Sequence, residues 1–174
     1  MLYIVVLLSI LSTLTWIKYW SMVKIKGKVI LLSIIATNVL LVLFQYVKLH
    51  PYEYIYFNEL IGYLPGAKDY FETDYWGASY IEAASWINEN VDSDTTLIIG
   101  ICGNEISKKY FNKTLYRIIW LPGCEGLMNV ELDYIIANGR NNEWNKIDAR
   151  EVYQVKRMNI PLVKIFKKDK LINP

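Results

Sequence analysis

Residues 29–47 read VILLSIIATNVLLVLFQYV, nineteen consecutive positions without a charge. As an α-helix the run is about 28 Å long, close to the roughly 30 Å hydrocarbon thickness of a bilayer. A soluble protein would need a large core to bury such a helix, and the rest of the chain supplies none. The run is therefore expected to span a membrane. The stretch Leu2–Ile17 is also uncharged, and its Ser9, Ser12, Thr13 and Thr15 carry hydroxyls able to bond back to helix carbonyls. A cleavable signal peptide is the rival reading for it. No basic region precedes the apolar stretch, however, and a second apolar run follows at once. The chain opens with almost no polar preamble, as though it entered from within a membrane.

Charge orients this hairpin. Residues 1–47 contain no Asp or Glu, and their four lysines, Lys18, Lys24, Lys26 and Lys28, lie in or beside the connection between the two runs. Short basic connections stay on the cytoplasmic side. Both the N-terminus and everything after residue 48 are then expected outside the cytoplasm. From Lys48 onward there are fifteen basic and seventeen acidic residues. That mildly acidic balance speaks against nucleic acid as a partner. Asn38 and Gln45 are awkward in lipid and are expected to face another helix.

Beyond the second run the patterning changes. His50–Asn58, HPYEYIYFN, concentrates aromatic rings at the end of the apolar stretch. The rings of Tyr46, Tyr52, Tyr54, Tyr56 and Phe57 suit headgroup depth, as an interfacial collar. Pro65-Gly66 is a turn signal within an aromatic-rich loop. Ser79-Tyr80-Ile81-Glu82 has the form of a capping box. It opens a helix predicted to reach about Asn90, with Tyr80, Ala83, Ala84 and Ile87 on one face. Thr95–Cys102, residues 114–121 and residues 132–139 have strand length and composition. REVYQVKR and PLVKIFKK read as two final strands around a tight turn at Met158-Asn159-Ile160, the last of them alternating like a water-facing sheet edge. Residues 103–113 are a further helix candidate. These elements define an α/β domain with a buried, mostly parallel sheet.

Chemistry-bearing residues are sparse. His50 is the lone histidine and more consistent with a helix end than a base. No HExxH or histidine pair occurs, so no metal site is expected. Cys102 and Cys124 are not a CxxC pair; they form either one disulfide in an oxidising compartment or two buried thiols. Gly100–Asn104 follows a strand where a nucleotide loop would sit, but GxGxxG and GxxxxGK[ST] are both absent. Asp69, Glu72 and Asp74 cluster without a partner histidine, and Asp74 is better read as capping backbone near Tyr75-Trp76-Gly77. Asn112-Lys113-Thr114 is a weak glycosylation-acceptor match. A tethered hydrolase finds no polar constellation to support it.

HPYEYIYFNEL followed by GAKDYFETDYWGASYIEAASWINEN resembles the C-terminal end of glycosyltransferase family 39-like proteins. These are multi-span membrane enzymes related to protein O-mannosyltransferases. The residues carrying the resemblance are His50, Pro51, Tyr52, Tyr56, Phe57, Asn58, Phe71, Glu72, Asp74, Tyr75, Trp76, Gly77, Ser79, Tyr80, Glu82, Ala83 and Trp86. The closing YQVKRMNIPLVKIFKK is similar too. The resemblance implies an isoprenoid-phosphate sugar donor for the full-length family, with transfer on the outer membrane face. It also implies a catalytic carboxylate in an early outer loop, and no position here matches it. No catalytic residue and no cofactor are therefore expected in this chain.

The combined expectation is a membrane protein: two transmembrane α-helices (1–47), an aromatic interfacial linker (48–78) and a small extracytoplasmic α/β domain (79–174). The leading functional reading is a truncated, non-catalytic portion of such a transferase. The alternative is a membrane-anchored interaction module. Acceptor or interface candidates are His50, Tyr52, Tyr56, Asn58, Glu72, Asp74, Tyr75 and Trp76. Expected partners are membrane lipid and a multi-span transferase half or other membrane protein.

Overall fold

Tyr80, Ala83, Ala84 and Ile87 recur at helical spacing, and all four are fully buried. The helix they define, Ser79–Asn90, is the chief helical element over a five-stranded sheet. The computed structural model describes residues 2–92, 94–103, 105–111, 114, 116–126, 130–139 and 144–168. Its chain divides into two compact units, Met1–Val47 and Lys48–Pro174.

The first unit holds helix α1, Leu2–Met22, and most of helix α2, Ile25–Leu49. Both extend past the uncharged runs because lysines near a helix end do not oppose helical backbone. Helix α2 is long and apolar enough to cross a membrane. In α1, Thr13 and Thr15 donate to the carbonyls of Ser9 and Leu11, each at 2.8 Å. Their hydroxyls are thereby satisfied within the helix. Trp16 stacks on Trp20 at 5.5 Å, and the Lys28 ammonium lies 5.3 Å from the Trp20 ring. Asn38 is exposed on α2, and Gln45 is buried.

In the second unit, α3 spans Tyr63–Ala67 and α4 spans Ser79–Asn90. The strands are β1 Leu97–Cys102, β2 Tyr116–Leu121, β3 Tyr134–Asn138, β4 Arg150–Arg157 and β5 Ile160–Lys167. Their order is β2-β1-β3-β5-β4. Strand β1 runs parallel to β2 and β3, whereas β5 is antiparallel to both β3 and β4. The sheet is therefore mixed, not mostly parallel. The cause is local: Met158 (φ 49°) and Asn159 (φ 64°) both adopt left-handed backbone, the requirement of a two-residue hairpin turn. That turn makes β4 and β5 antiparallel neighbours.

The edge assignment also changes. Strand β5 lies inside the sheet between β3 and β4, and its Leu162, Val163, Ile165 and Phe166 are buried. Lys164 breaks the apolar run without facing open water. It pairs with Glu151 at 2.8 Å and lies 5.0 Å from the Trp144 ring. Its aliphatic stem covers apolar surface and carries the ammonium to the Glu151 carboxylate. Residues 105–110 form a 3₁₀ helix, not an α-helix.

Both sheet faces are covered. Ile99, Ile101, Tyr134, Ile136, Val155 and Ile165 share a core with the buried residues of α4. Cys102, Ile135, Ala137 and Phe166 share the opposite core with Cys124, Leu132 and Ile147. Successive strand side chains point to opposite faces, so β1 and β3 feed both cores. The segment read as an interfacial linker contributes to the first core. Leu49, Tyr52, Ile55 and Leu64 are buried in it, and Tyr56 and Phe57 pack against it. Tyr52, Tyr56 and Phe57 thus find protein contacts where headgroup depth was expected. The Pro65-Gly66 turn signal falls inside α3, where a Cβ on Gly66 would overlap the Ile61 carbonyl.

Candidate functional site

Seven of the residues quoted for the resemblance, Tyr52, Asp74, Ser79, Tyr80, Glu82, Ala83 and Trp86, lie in α4 or in the contacts at its first two turns. Ser79 is fully buried in the first turn, and the N-cap is Ala78, without a side-chain cap. The capping box is accordingly absent. The Ser79 hydroxyl donates instead to the Asp74 carboxylate, which also accepts from the Tyr54 hydroxyl. Asp74 is buried, so two hydroxyl donors replace the water it has lost. Its carbonyl accepts from Gly77 N–H at 3.1 Å, holding the turn that enters the helix.

Glu82, the expected partner in that box, faces the hairpin. Its Oε2 accepts from Arg157 Nη2 at 2.8 Å and from the Tyr52 hydroxyl at 2.9 Å. Arg157 Nε donates to the His50 carbonyl at 2.8 Å, and its guanidinium lies 4.6 Å from the Tyr52 ring centre. Trp86 stacks on Tyr153 at 4.9 Å with an interplanar angle of 10°. One arginine from the end of β4 therefore ties the His50 backbone to α4. Burial, reinforced by Glu82, pushes the Tyr52 and Tyr153 hydroxyls above the ordinary phenol range. Burial and Asp74 do the same to Tyr54.

The arrangement favours holding over reacting. Glu82 is ion-paired, and Asp74 is occupied by two hydroxyl donors. Among the described residues, no group of three His, Cys, Asp or Glu side chains is placed to hold a metal ion. At the C-terminal ends of the parallel strands, where open α/β sheets bind ligands, the Tyr80 hydroxyl stands in the way. It donates to the Cys102 carbonyl and accepts from Asn138 N–H at 3.0 Å. Asn104 lies outside the described residues.

The other candidates separate. The His50 side chain is exposed and pairs with Glu53 at 2.7 Å. The Glu53 carboxyl is held low by its own backbone N–H first and His50 second. Asn58 accepts from Ile61 N–H at 3.4 Å and so caps a 3₁₀ turn. Tyr56 is half-buried against the core, while Glu72, Tyr75 and Trp76 are exposed. Cys102 and Cys124 form a disulfide. Asn112 and Lys113 of the acceptor pattern lie outside the described residues. Sequence reasoning missed Arg157 and Tyr153 as partners of Glu82. They lie more than seventy positions away in the chain, and no local signal announces the pairing. Family models, curated proteins and solved structures were compared with the chain, and none matches it.

Glu82→Leu is expected to lower unfolding stability by about 2 kcal/mol. A fully buried pair would cost about 3–5 kcal/mol, but these side chains retain 33% and 18% exposure. Denaturant unfolding with Arg157→Met as the second arm of a double-mutant cycle measures the coupling. Purely additive losses would mean that the pair contributes nothing.

Tyr52 gives a pH signature. Its folded pKa is raised, so its contribution is complete below the unfolded value and declines as pH climbs past about 10, by about 1.4 kcal/mol per pH unit. Thermal unfolding between pH 8 and 11 should show a shallower alkaline loss in Tyr52→Phe than in the parent. Parallel curves would rule out Tyr52 as the source.

Proposed function

We propose that this chain is the C-terminal, non-catalytic portion of a membrane glycosyltransferase using an isoprenoid-phosphate sugar. Its α1 and α2 both span the bilayer, and its α/β domain stands outside the cytoplasm. The observation carrying this reading is the use made of the resemblance residues. Tyr52, Asp74, Ser79, Tyr80, Glu82, Ala83 and Trp86 are spent on packing and buried polar contacts around α4. Residues used in that way support the reading of a folded domain over that of a reaction centre.

Two further features support the placement. The Cys102–Cys124 bond suits an oxidising compartment. Lys18 near the end of α1, Lys24 in the connection, and Lys26 and Lys28 in the first turn of α2 favour a cytoplasmic connection. Exposed Asn38 on α2 favours a helix partner within the membrane, such as the catalytic multi-span half. The domain then stabilises that half or covers its outer face.

The test is reconstitution of residues 1–174 with polyprenyl-phosphate sugars and membrane acceptors. The expected result is no transfer above empty membranes. Sugar transfer above that control would show that this chain holds a reaction centre and would overturn the proposal.

A further inference from the structure

The second unit has apolar exposure that its own core does not explain. Among its described residues, the large apolar side chains more than half exposed are Leu60 (92%), Tyr70 (77%), Phe71 (53%), Tyr75 (62%) and Trp76 (72%). All five fall within one excursion, residues 54–77. That excursion is folded back on itself by the Phe57–Phe71 ring contact at 5.5 Å and by the Tyr54 hydroxyl on Asp74. Tyr75 and Trp76 meet edge to face at 5.2 Å.

We infer that Leu60, Tyr70, Phe71, Tyr75 and Trp76 form a lipid-docking surface that enters the headgroup–acyl boundary of an electrically neutral bilayer. The inference rests on the reading of α2 as a span. Two observations select lipid over other occupants. The excursion begins only five residues after Leu49, the last residue of α2. Fully extended, that connection reaches at most roughly 18 Å. The side chains are mainly Trp, Tyr and Phe, which combine an apolar ring with a polar tip or edge and concentrate at membrane interfaces. The sign of charge then narrows the lipid. Residues 54–77 carry Glu59, Asp69, Glu72 and Asp74 against the single basic Lys68. Attraction to anionic headgroups is therefore absent, and ring insertion supplies the contact. This surface differs from the collar expected from HPYEYIYFN, whose Tyr52 and Ile55 are buried in the protein core.

The test places a spin label at one introduced cysteine in the full chain, with the native disulfide intact, in phosphatidylcholine vesicles. The sites are Tyr70→Cys, Trp76→Cys, Leu40→Cys on α2 and the exposed Lys156→Cys on β4 as a water reference. The ratio of oxygen to nickel-chelate accessibility reports depth. We expect it to be severalfold higher at 70 and 76 than at 156, and highest at 40. Water-like values at 70 and 76 with a deep label at 40 overturn the docking surface and leave the anchor standing. A water-like label at 40 overturns the anchor, and this inference with it. Spin–spin broadening at 76 that grows with protein density assigns the surface to a second copy and also overturns the proposal. Mixing in phosphatidylglycerol should leave the depth at 76 unchanged or reduced. Deeper insertion would refute the charge argument.

Discussion

Tyr80→Ala is expected to lower the unfolding free energy by about 4 kcal/mol, and Tyr80→Phe by about 1–2 kcal/mol. Tyr80 is 1% exposed and packs in the core shared by α4 and the sheet. Its ring fills volume that alanine would leave as a cavity. Its hydroxyl joins two parallel strands at their C-terminal ends, through the Cys102 carbonyl and Asn138 N–H. Phenylalanine keeps the volume but strands both backbone groups. Denaturant unfolding followed by near-ultraviolet dichroism distinguishes the two contributions. Equal losses in both variants would mean that the hydroxyl bridge, not the packed ring, dominates.

Replacing both Cys102 and Cys124 by alanine is expected to cost about 3 kcal/mol. The bond closes a loop with a sequence separation of 22, and the chain-entropy model gives about that value for a loop of this size. The sheet should survive, because Ile99 and Ile101 remain packed on the α4 face. Unfolding of the parent with and without a reductant measures the same quantity without mutation. An unchanged midpoint on reduction would show that the unfolded chain gains nothing from the lost tether. The disulfide and Tyr80 effects should not add, since the Tyr80 hydroxyl bonds the carbonyl of Cys102 itself.

Periodicity makes much of this fold legible in the sequence. The buried face of α4 follows from Tyr80, Ala83, Ala84 and Ile87, and β4 follows residue for residue from REVYQVKR. Such features are local, and local spacing encodes them. The illegible features depend on pairing across the chain. The lysines flanking Val163 and Ile165 imitate a sheet edge, because a snorkelling Lys164 and a solvated one look alike in sequence. Ser79 and Glu82 satisfy the capping-box spacing, yet Asp74 and Arg157 offer each a stronger partner from elsewhere. The aromatic strip after α2 reads as a membrane collar because tyrosine suits an interface and a half-polar core equally. Burial beneath Arg157 puts Tyr52 in the core, whereas Tyr46 and Tyr54 remain exposed.

The position of β5 inside the sheet has a consequence for the order in which the molecule is made. Strands β3 and β4 have no direct pairing to hold them together until β5, which follows β4 in the chain, slots between them. Arg157 likewise appears 107 residues after the His50 carbonyl it grips. At typical synthesis rates of about 5–20 residues per second, that carbonyl waits several seconds or longer for its clamp. Helices α1 and α2 are therefore complete while the domain beyond them is still an open chain, and the grip on His50 closes only after β4 has emerged.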